Sequence, residues 1–372
     1  MKSLDRIKKV AANPAAYARQ WKQDHNAPVV GSFCSYAPEE IILASGSLGF
    51  RIFGSDRTVS KADGHLQSYC CSLVRNALES QLTGDLDFLD GVVFPHTCDS
   101  IQRLSDIWRI NVNIGFHADL VLPVKLDTES ARDYMADVFV KVRRDLEKKL
   151  GKPITDTDIQ SAVDLCNRIR QTVRRINEMR ISQPGLLSGK GTHAVAKAGM
   201  VMDRKEFFQS VQDLATELEE KGAATRFSGK RVFLSGGLCS MPDVYAAIEE
   251  SGCAIVADDL CTGSRFYEGD ITQQTDTLRA ISDRYAGRLI CPAKHSGIRS
   301  RGEELVKRVK KSGADGVIFL YLKFCDPHSF DYPYLKEMLG REGVPCLLYE
   351  MEAQTGGEGQ FRTRCEAFVE ML

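Results

Sequence analysis

Twelve cysteines are spread over a chain of 372 residues. That is more thiol than packing needs, and in a reducing compartment disulfide pairing is disfavoured, so the surplus points to a ligand role. Six of the twelve sit in comparable places: Cys34 in GSFCSY, Cys71 in SYCCSL with Cys70 as its competitor, Cys98 in FPHTCDS, Cys239 in SGGLCSM, Cys261 in DDLCTG and Cys325 in LKFCDP. Five directly follow an apolar run that reads as a strand, and Cys71 stands at the start of a helix. The carboxyl edge of an open α/β sheet is where ligands bind. Thiolates there meet helix N-termini after Cys34, Cys98 and Cys239, and Gly236, Gly237 and Gly263 let backbone N–H groups approach a ligand closely. Structural zinc sites use tight C-x-x-C pairs, and even Cys239 and Cys261, the nearest two of the six, are much farther apart than that. An iron–sulfur centre gathered from distant loops fits this spacing better; the competing reading is buried thiols that merely follow strands. Cys166, Cys253, Cys346 and Cys365 read as small buried hydrophobes.

The elements that would position these thiols alternate between strand and helix. Strands are expected at Val29 to Phe33, Arg51 to Gly54, Gly91 to Pro95 and Arg109 to Ile114, with helices at Pro38 onward (closed by Gly46 and Gly49), Ser68 to Leu82 and Ser100 to Trp108. From Asp127 to about Gly222 the periodicity is helical, in three charged segments. Strands return at Lys230 to Gly237, Ala254 to Asp259, Asp315 to Phe324 and Val344 to Glu350, with helices at Pro242 to Glu250, Gly302 to Ser312 and Pro333 to Gly343. The expected fold is α/β, with two doubly wound, flavodoxin-like lobes of parallel strands at 1–126 and 228–372, a helical segment at 127–227 between them, and the site in the cleft between lobes. The two lobes read as possible structural copies of one another.

Composition narrows the functions. Hydrophobic residues are 43% of the chain, which excludes a disordered or fibrous protein, and 49 Lys+Arg against 50 Asp+Glu give a net charge of -1. No global basic field exists to hold nucleic acid or anionic lipid. No apolar run is long enough for a membrane span, and MKSLDRIKKVAANPAAYARQW is an amphipathic charged helix without a signal-peptide core, so a cytoplasmic protein is expected.

The runs FCSYAPEEIILASG, FPHTCDSIQRLSDIW, SGGLCSMPDVYAAIEESGCAIVADDLCTGSRFYEG and KFCDPHSFDYPYLKEMLGREGVPCLLYEME, in that order, resemble the family of 2-hydroxyacyl-CoA dehydratases and benzoyl-CoA reductases over nearly the whole chain. The resemblance implies a two-lobed iron–sulfur enzyme that receives single electrons from a separate ATP-hydrolysing activator. Carried over by position, Cys71, Cys98 and Cys325 would hold one 4Fe-4S cluster with one iron free of protein thiolate. Cys34, Cys239 and Cys261 exceed what a plain dehydratase subunit needs. They point to the family's double-cubane branch, in which six cysteines hold two cubanes joined by a sulfide and a small substrate is reduced at the expense of ATP; Cys239 stands slightly beyond the position of its counterpart. The alternative is a dehydratase or reductase subunit with a single cluster, acting on an acyl-CoA through a ketyl radical. Either version implies a homodimer or a heterodimer with a related subunit.

Several neighbours of the thiols are candidates for supporting roles. His96 and Asp99 flank Cys98, and either hydrogen bonding to cluster sulfur or helix capping by His96 is consistent with that position. His328 is the candidate proton donor. Glu350, a candidate catalytic carboxylate, and Glu352 end the last strand and would line the cleft. Gly356, Gly357 and Gly359 with Arg362 and Arg364 form a loop suited to an anion or simply to capping a helix. Lys307, Arg308, Lys310 and Lys311 read as a solvated helix face, and Trp21 and Trp108 as core.

Overall fold

The computed structural model describes residues 1–372 apart from 56–57, 223–226, 273, 289–290, 295–296 and 353–357. Among the described residues, eight strands form two four-stranded parallel sheets. The first contains β1 (Val29–Ser32), β2 (Leu48–Arg51), β3 (Gly91–Pro95) and β4 (Phe116–Leu120) in the order β2-β1-β3-β4. The second contains β5 (Lys230–Gly236), β6 (Cys253–Asp259), β7 (Gly316–Leu322) and β8 (Cys346–Met351) in the order β6-β5-β7-β8. The orders match strand for strand, so each sheet reverses its winding beside its first strand, β1 or β5. In a doubly wound sheet the crevice at that reversal is the ligand edge.

In the first half the helices are α1 (Lys2–Ala12), α2 (Pro14–His25), α3 (Glu39–Ala44), α4 (Ser72–Leu82) and α5 (Asp99–Asn111). The middle is α6 (Glu129–Leu150), α7 (Asp156–Ser182), α8 (Gly189–Gly199) and α9 (Arg204–Lys221). In the second half they are α10 (Pro242–Glu250), α11 (Ser264–Tyr267), α12 (Thr277–Gly287), α13 (Ile298–Ser312), α14 (Asp326–Arg341) and α15 (Glu358–Met371). Local signals account for the long middle helices. Thr128 caps α6 and left-handed Gly151 ends it, while Thr155 and Asp158 form a reciprocal capping box on α7. One hydrophobic cluster joins α1, the first sheet, α7, α8 and α9, and also takes in Leu238 and Tyr267 from the second half. The middle helices thereby pack against both halves.

Several elements differ from the sequence reading. β2 begins at Leu48 rather than Arg51, because LGFR pairs in register with Val29 to Ser32; Gly49 is a strand residue and does not close α3. Of the strand expected at Arg109 to Ile114, Arg109 to Asn111 end α5 and Val112 to Ile114 connect it to β4 at Phe116–Leu120. β4 is hard to read from hydropathy because one of its faces carries His117 and Asp119, which hydrogen-bond Ser105 and Arg109. α14 starts at Asp326 rather than Pro333: Pro327 suits the first turn, and Pro333 lies inside the helix. α8 and α12 have no counterpart in the sequence reading.

Candidate metal centre

The strand and helix boundaries put the thiols where the loops leave each sheet. Cys34 follows β1, Cys239 follows β5, Cys261 follows β6, Cys98 is the N-cap of α5 after β3, and Cys325 is the N-cap of α14 after β7. Cys71 is the N-cap of α4. All twelve cysteines are free thiols.

Cys71, Cys98 and Cys325 lie within electrostatic reach of one another although they belong to three different helix starts. A negative charge on Cys98 is opposed by Cys71 and Cys34, and one on Cys325 by Cys71, Cys98 and Cys261. Burial pushes all three thiols up, Cys98 to about 12, while backbone N–H groups of the following turn favour the thiolate: Val74 and Leu73 at Cys71, Ile101 and Ser100 at Cys98, His328 at Cys325. Helix starts aimed at buried sulfur in this way suit a bound cation that takes the proton's place.

Cys34 and Cys261 adjoin this group and share a buried guanidinium. Arg51, at the end of β2, hydrogen-bonds Cys34 and faces Cys261; burial pulls its pKa down, and its Nε has no hydrogen-bond partner. Arg265, 2% exposed on α11, donates from Nη1 to Cys261 Sγ at 3.2 Å and from Nη2 to Asp259. A third cation, Lys294, donates to the carbonyl of Leu122 at 2.9 Å and faces Cys34, Cys291 and Cys98. Cys291 is buried, and a charge on it meets Arg265, Cys261 and Cys34.

Cys239 is differently engaged. It lies 1% exposed in the core of the second sheet, its backbone is bridged on both sides by the Thr262 hydroxyl at 3.1 and 3.0 Å, and its sulfur points to the Met241 carbonyl at 3.9 Å. Burial pushes its thiol up to about 11, with Met241, Tyr245 and Lys197 acting on it.

The donor set fits an anionic sulfur cluster. Its ligands are soft thiols, and buried cations stand among them, one of which, Arg51, has an unpartnered nitrogen at a depth where lone charge is costly. A cluster with net negative charge compensates that arrangement.

The remaining predicted residues divide. His328 is buried with Nδ1 at 3.3 Å from Cys325 Sγ. Burial, then Arg265 and Arg301, hold its pKa well below the ordinary imidazole value. Its ring stands beside Cys325 sulfur with Nδ1 in hydrogen-bond range. Glu350 is exposed on β8, whereas Met351 lines a small cavity and Tyr349 and Glu352, the latter paired with Lys323 at 3.1 Å, line a larger cleft. His96 binds Asp119 at 2.9 Å, and Asp99 and Asp326 are first-turn residues of α5 and α14. Packing alone requires these glycines: a Cβ on Gly236 would collide with the Leu320 carbonyl, on Gly237 it would lie 3.3 Å from the His328 ring, and on Gly263 it would run into the Asp258 carboxylate. Gly356 and Gly357 lie outside the described residues. Arg362 is paired with Glu250 and Glu366, and Arg364 with the Leu348 carbonyl. Arg308 and Lys310 are paired on the α13 surface, and Trp21 and Trp108 are core.

Beside Cys239 a small cavity of about 30 Å³, lined also by Phe53, Ser240 and Met351, adjoins a cleft of about 1460 Å³. The larger cleft carries both signs of charge, Lys190 being paired with Asp243 and Arg362 with Glu250 along its lining. Arg51, Arg265, Cys291 and Lys294 are the site residues that sequence reasoning misses. Only Arg265, four residues after Cys261, carries a local signal.

The fold and the thiol-lined strand ends define a two-lobed α/β protein. The model of the family described as 2-hydroxyglutaryl-CoA dehydratase, D-component, matches residues 34–372, and the chain belongs to that family. The (R)-phenyllactyl-CoA dehydratase beta subunit of Clostridium sporogenes is 28% identical over 372 residues, covering 100% of this chain and 99% of that protein. The lactoyl-CoA dehydratase subunit beta of Anaerotignum propionicum is 28% identical over 99% of this chain and 98% of its own length. A benzoyl-CoA reductase subunit of Thauera aromatica is 27% identical over 95% of this chain and 94% of its own length. These matches place the chain among the dehydratase and reductase enzymes of the 2-hydroxyacyl-CoA dehydratase family. Among the described residues no helix is long and apolar enough to cross a membrane.

Proposed function

We propose that this chain is the iron–sulfur component of an ATP-dependent, low-potential reductase, with Cys71, Cys98 and Cys325 holding one cubane and Cys34 and Cys261 belonging to a second. The observation that carries the reading is that Cys34 and Cys261, which a single cluster does not need, adjoin Cys98 and Cys325 and share the buried Arg51. When bound, such a centre supplies single electrons at low potential. The protein's part is electrostatic. Arg265 donates to Cys261 sulfur and Arg51 to that of Cys34, which disperses negative charge, and the buried His328 ring sets its Nδ1 against Cys325. The electron donor is an ATP-hydrolysing iron–sulfur activator, and the setting is the cytoplasm. That the relatives are named as subunits supports assembly with a second copy or a related chain.

The presence of acyl-CoA dehydratase subunits among full-length relatives favours one second reading, a dehydratase subunit that recovers its electron after each turnover. Anaerobic turnover with activator, ATP and reductant separates the two. The reductase reading expects reductant to be consumed in proportion to product; many products per electron would establish the dehydratase.

A further inference from the structure

We infer that Cys291, and not Cys239, is the sixth thiolate of the iron–sulfur site, completing a second triad with Cys34 and Cys261. The inference rests on the reading above that two thiol-held centres occupy the strand ends. The neighbour relations separate the thiols into two sets of three. Cys71, Cys98 and Cys325 face one another. Cys291 faces both Cys34 and Cys261, and Arg51 lies against that same pair. The two sets touch where Cys98 meets Cys34 and Cys325 meets Cys261. Three thiolates for each of two joined cubanes is the arithmetic that six ligands require.

The turn that carries Cys291 is pinned at this edge. Cys291 and Lys294 form a bridge, the Lys294 N–H donates to the Cys291 carbonyl at 3.1 Å, and the Lys294 ammonium donates to the Leu122 carbonyl, just past β4. Cys291 packs into the hydrophobic cluster that contains Tyr36 and against which Cys34 rests, so a loop from the second half of the chain delivers its sulfur to the first sheet's edge. Two buried cations, Arg265 and Lys294, face Cys291. Cys239 has the opposite setting, with its backbone clasped by Thr262 and its sulfur turned to the Met241 carbonyl within the second sheet's core. Its place after β5 mimics that of Cys34 after β1, which is why sequence position favours it.

The test compares iron and acid-labile sulfide in anaerobically purified full-length protein with those in Cys291→Ser and Cys239→Ser, alongside the electron paramagnetic resonance of the reduced forms. Unsubstituted protein with about eight irons, Cys291→Ser with roughly half of them and an altered spectrum, and Cys239→Ser matching the unsubstituted protein in both support the inference. Full iron in Cys291→Ser, or loss of half in Cys239→Ser, overturns it while leaving the two-centre reading intact. About four irons in the unsubstituted protein overturns the two-centre reading itself, and the inference with it. Should Cys291→Ser fail to fold, by circular dichroism, the iron anomalous map of unsubstituted holoprotein crystals decides: iron bonded to Cys291 sulfur supports the inference, and iron bonded to Cys239 sulfur overturns it.

Discussion

Arg265 does two things at once. Buried to 2% exposure, it neutralises Asp259 and donates to Cys261 sulfur at 3.2 Å. Burial opposes its charge, but Asp259 and then the thiols of Cys261 and Cys291 outweigh this and hold it protonated. Each electron added to a neighbouring cluster makes that cluster more negative, so a fixed cation favours the reduced form. Arg265 is thus a positioning residue. Arg265→Gln is expected to lower the midpoint potential of the bound centre and to reduce activity by about 10–100-fold, as loss of an outer hydrogen bond to a metal ligand does. A purely packing role would lower stability without moving the potential in a redox titration. In the sequence, where Arg265 is one of 49 basic residues, its place four positions after Cys261 is its only mark.

At the scale of elements, legibility follows burial. Gly91–Pro95 and Pro242–Glu250 have the bounds the sequence suggests, because the strand is continuously apolar and the helix begins with proline in its first turn. β2 and β4 are displaced from their expected positions because their partners, not their hydropathy, define them. The helices are tied together by charge that composition cannot reveal: Glu40 on α3, wholly buried, meets Arg170 of α7 at 2.7 Å, Arg284 of α12 at 3.7 Å and the Tyr285 hydroxyl at 3.1 Å. Glu39, Glu40 and Cys166 stand close enough to suggest a cation site, but Arg170, Arg204 and Arg284 already balance the carboxylates. Glu40→Gln leaves Arg284 buried without its anion and Arg170 with Glu39 alone, and is expected to cost about 3–5 kcal/mol, read as a lower denaturant midpoint at unchanged slope. Burial alone would raise the Glu40 pKa, but Arg170 and Arg284 prevail and depress it below the ordinary value. Its contribution is thus present above the ordinary carboxylate range and lost as pH falls through the depressed value; a Glu40→Gln protein as stable as the unsubstituted one would refute this role.

Across the whole molecule, two sheets with the same strand order bring their carboxyl edges together, so that residues as distant as Cys34 and Cys325 serve one place. The alternation of elements and the strand-end thiols are legible in the sequence because both are local patterns. The cationic lining and the turn at Cys291 are not, since they exist only once the two halves are packed. What those sulfurs hold decides everything else. Iron and acid-labile sulfide measured on the unsubstituted protein, purified without oxygen, are predicted at about eight irons per chain; a colourless protein carrying zinc or no metal at all would contradict it.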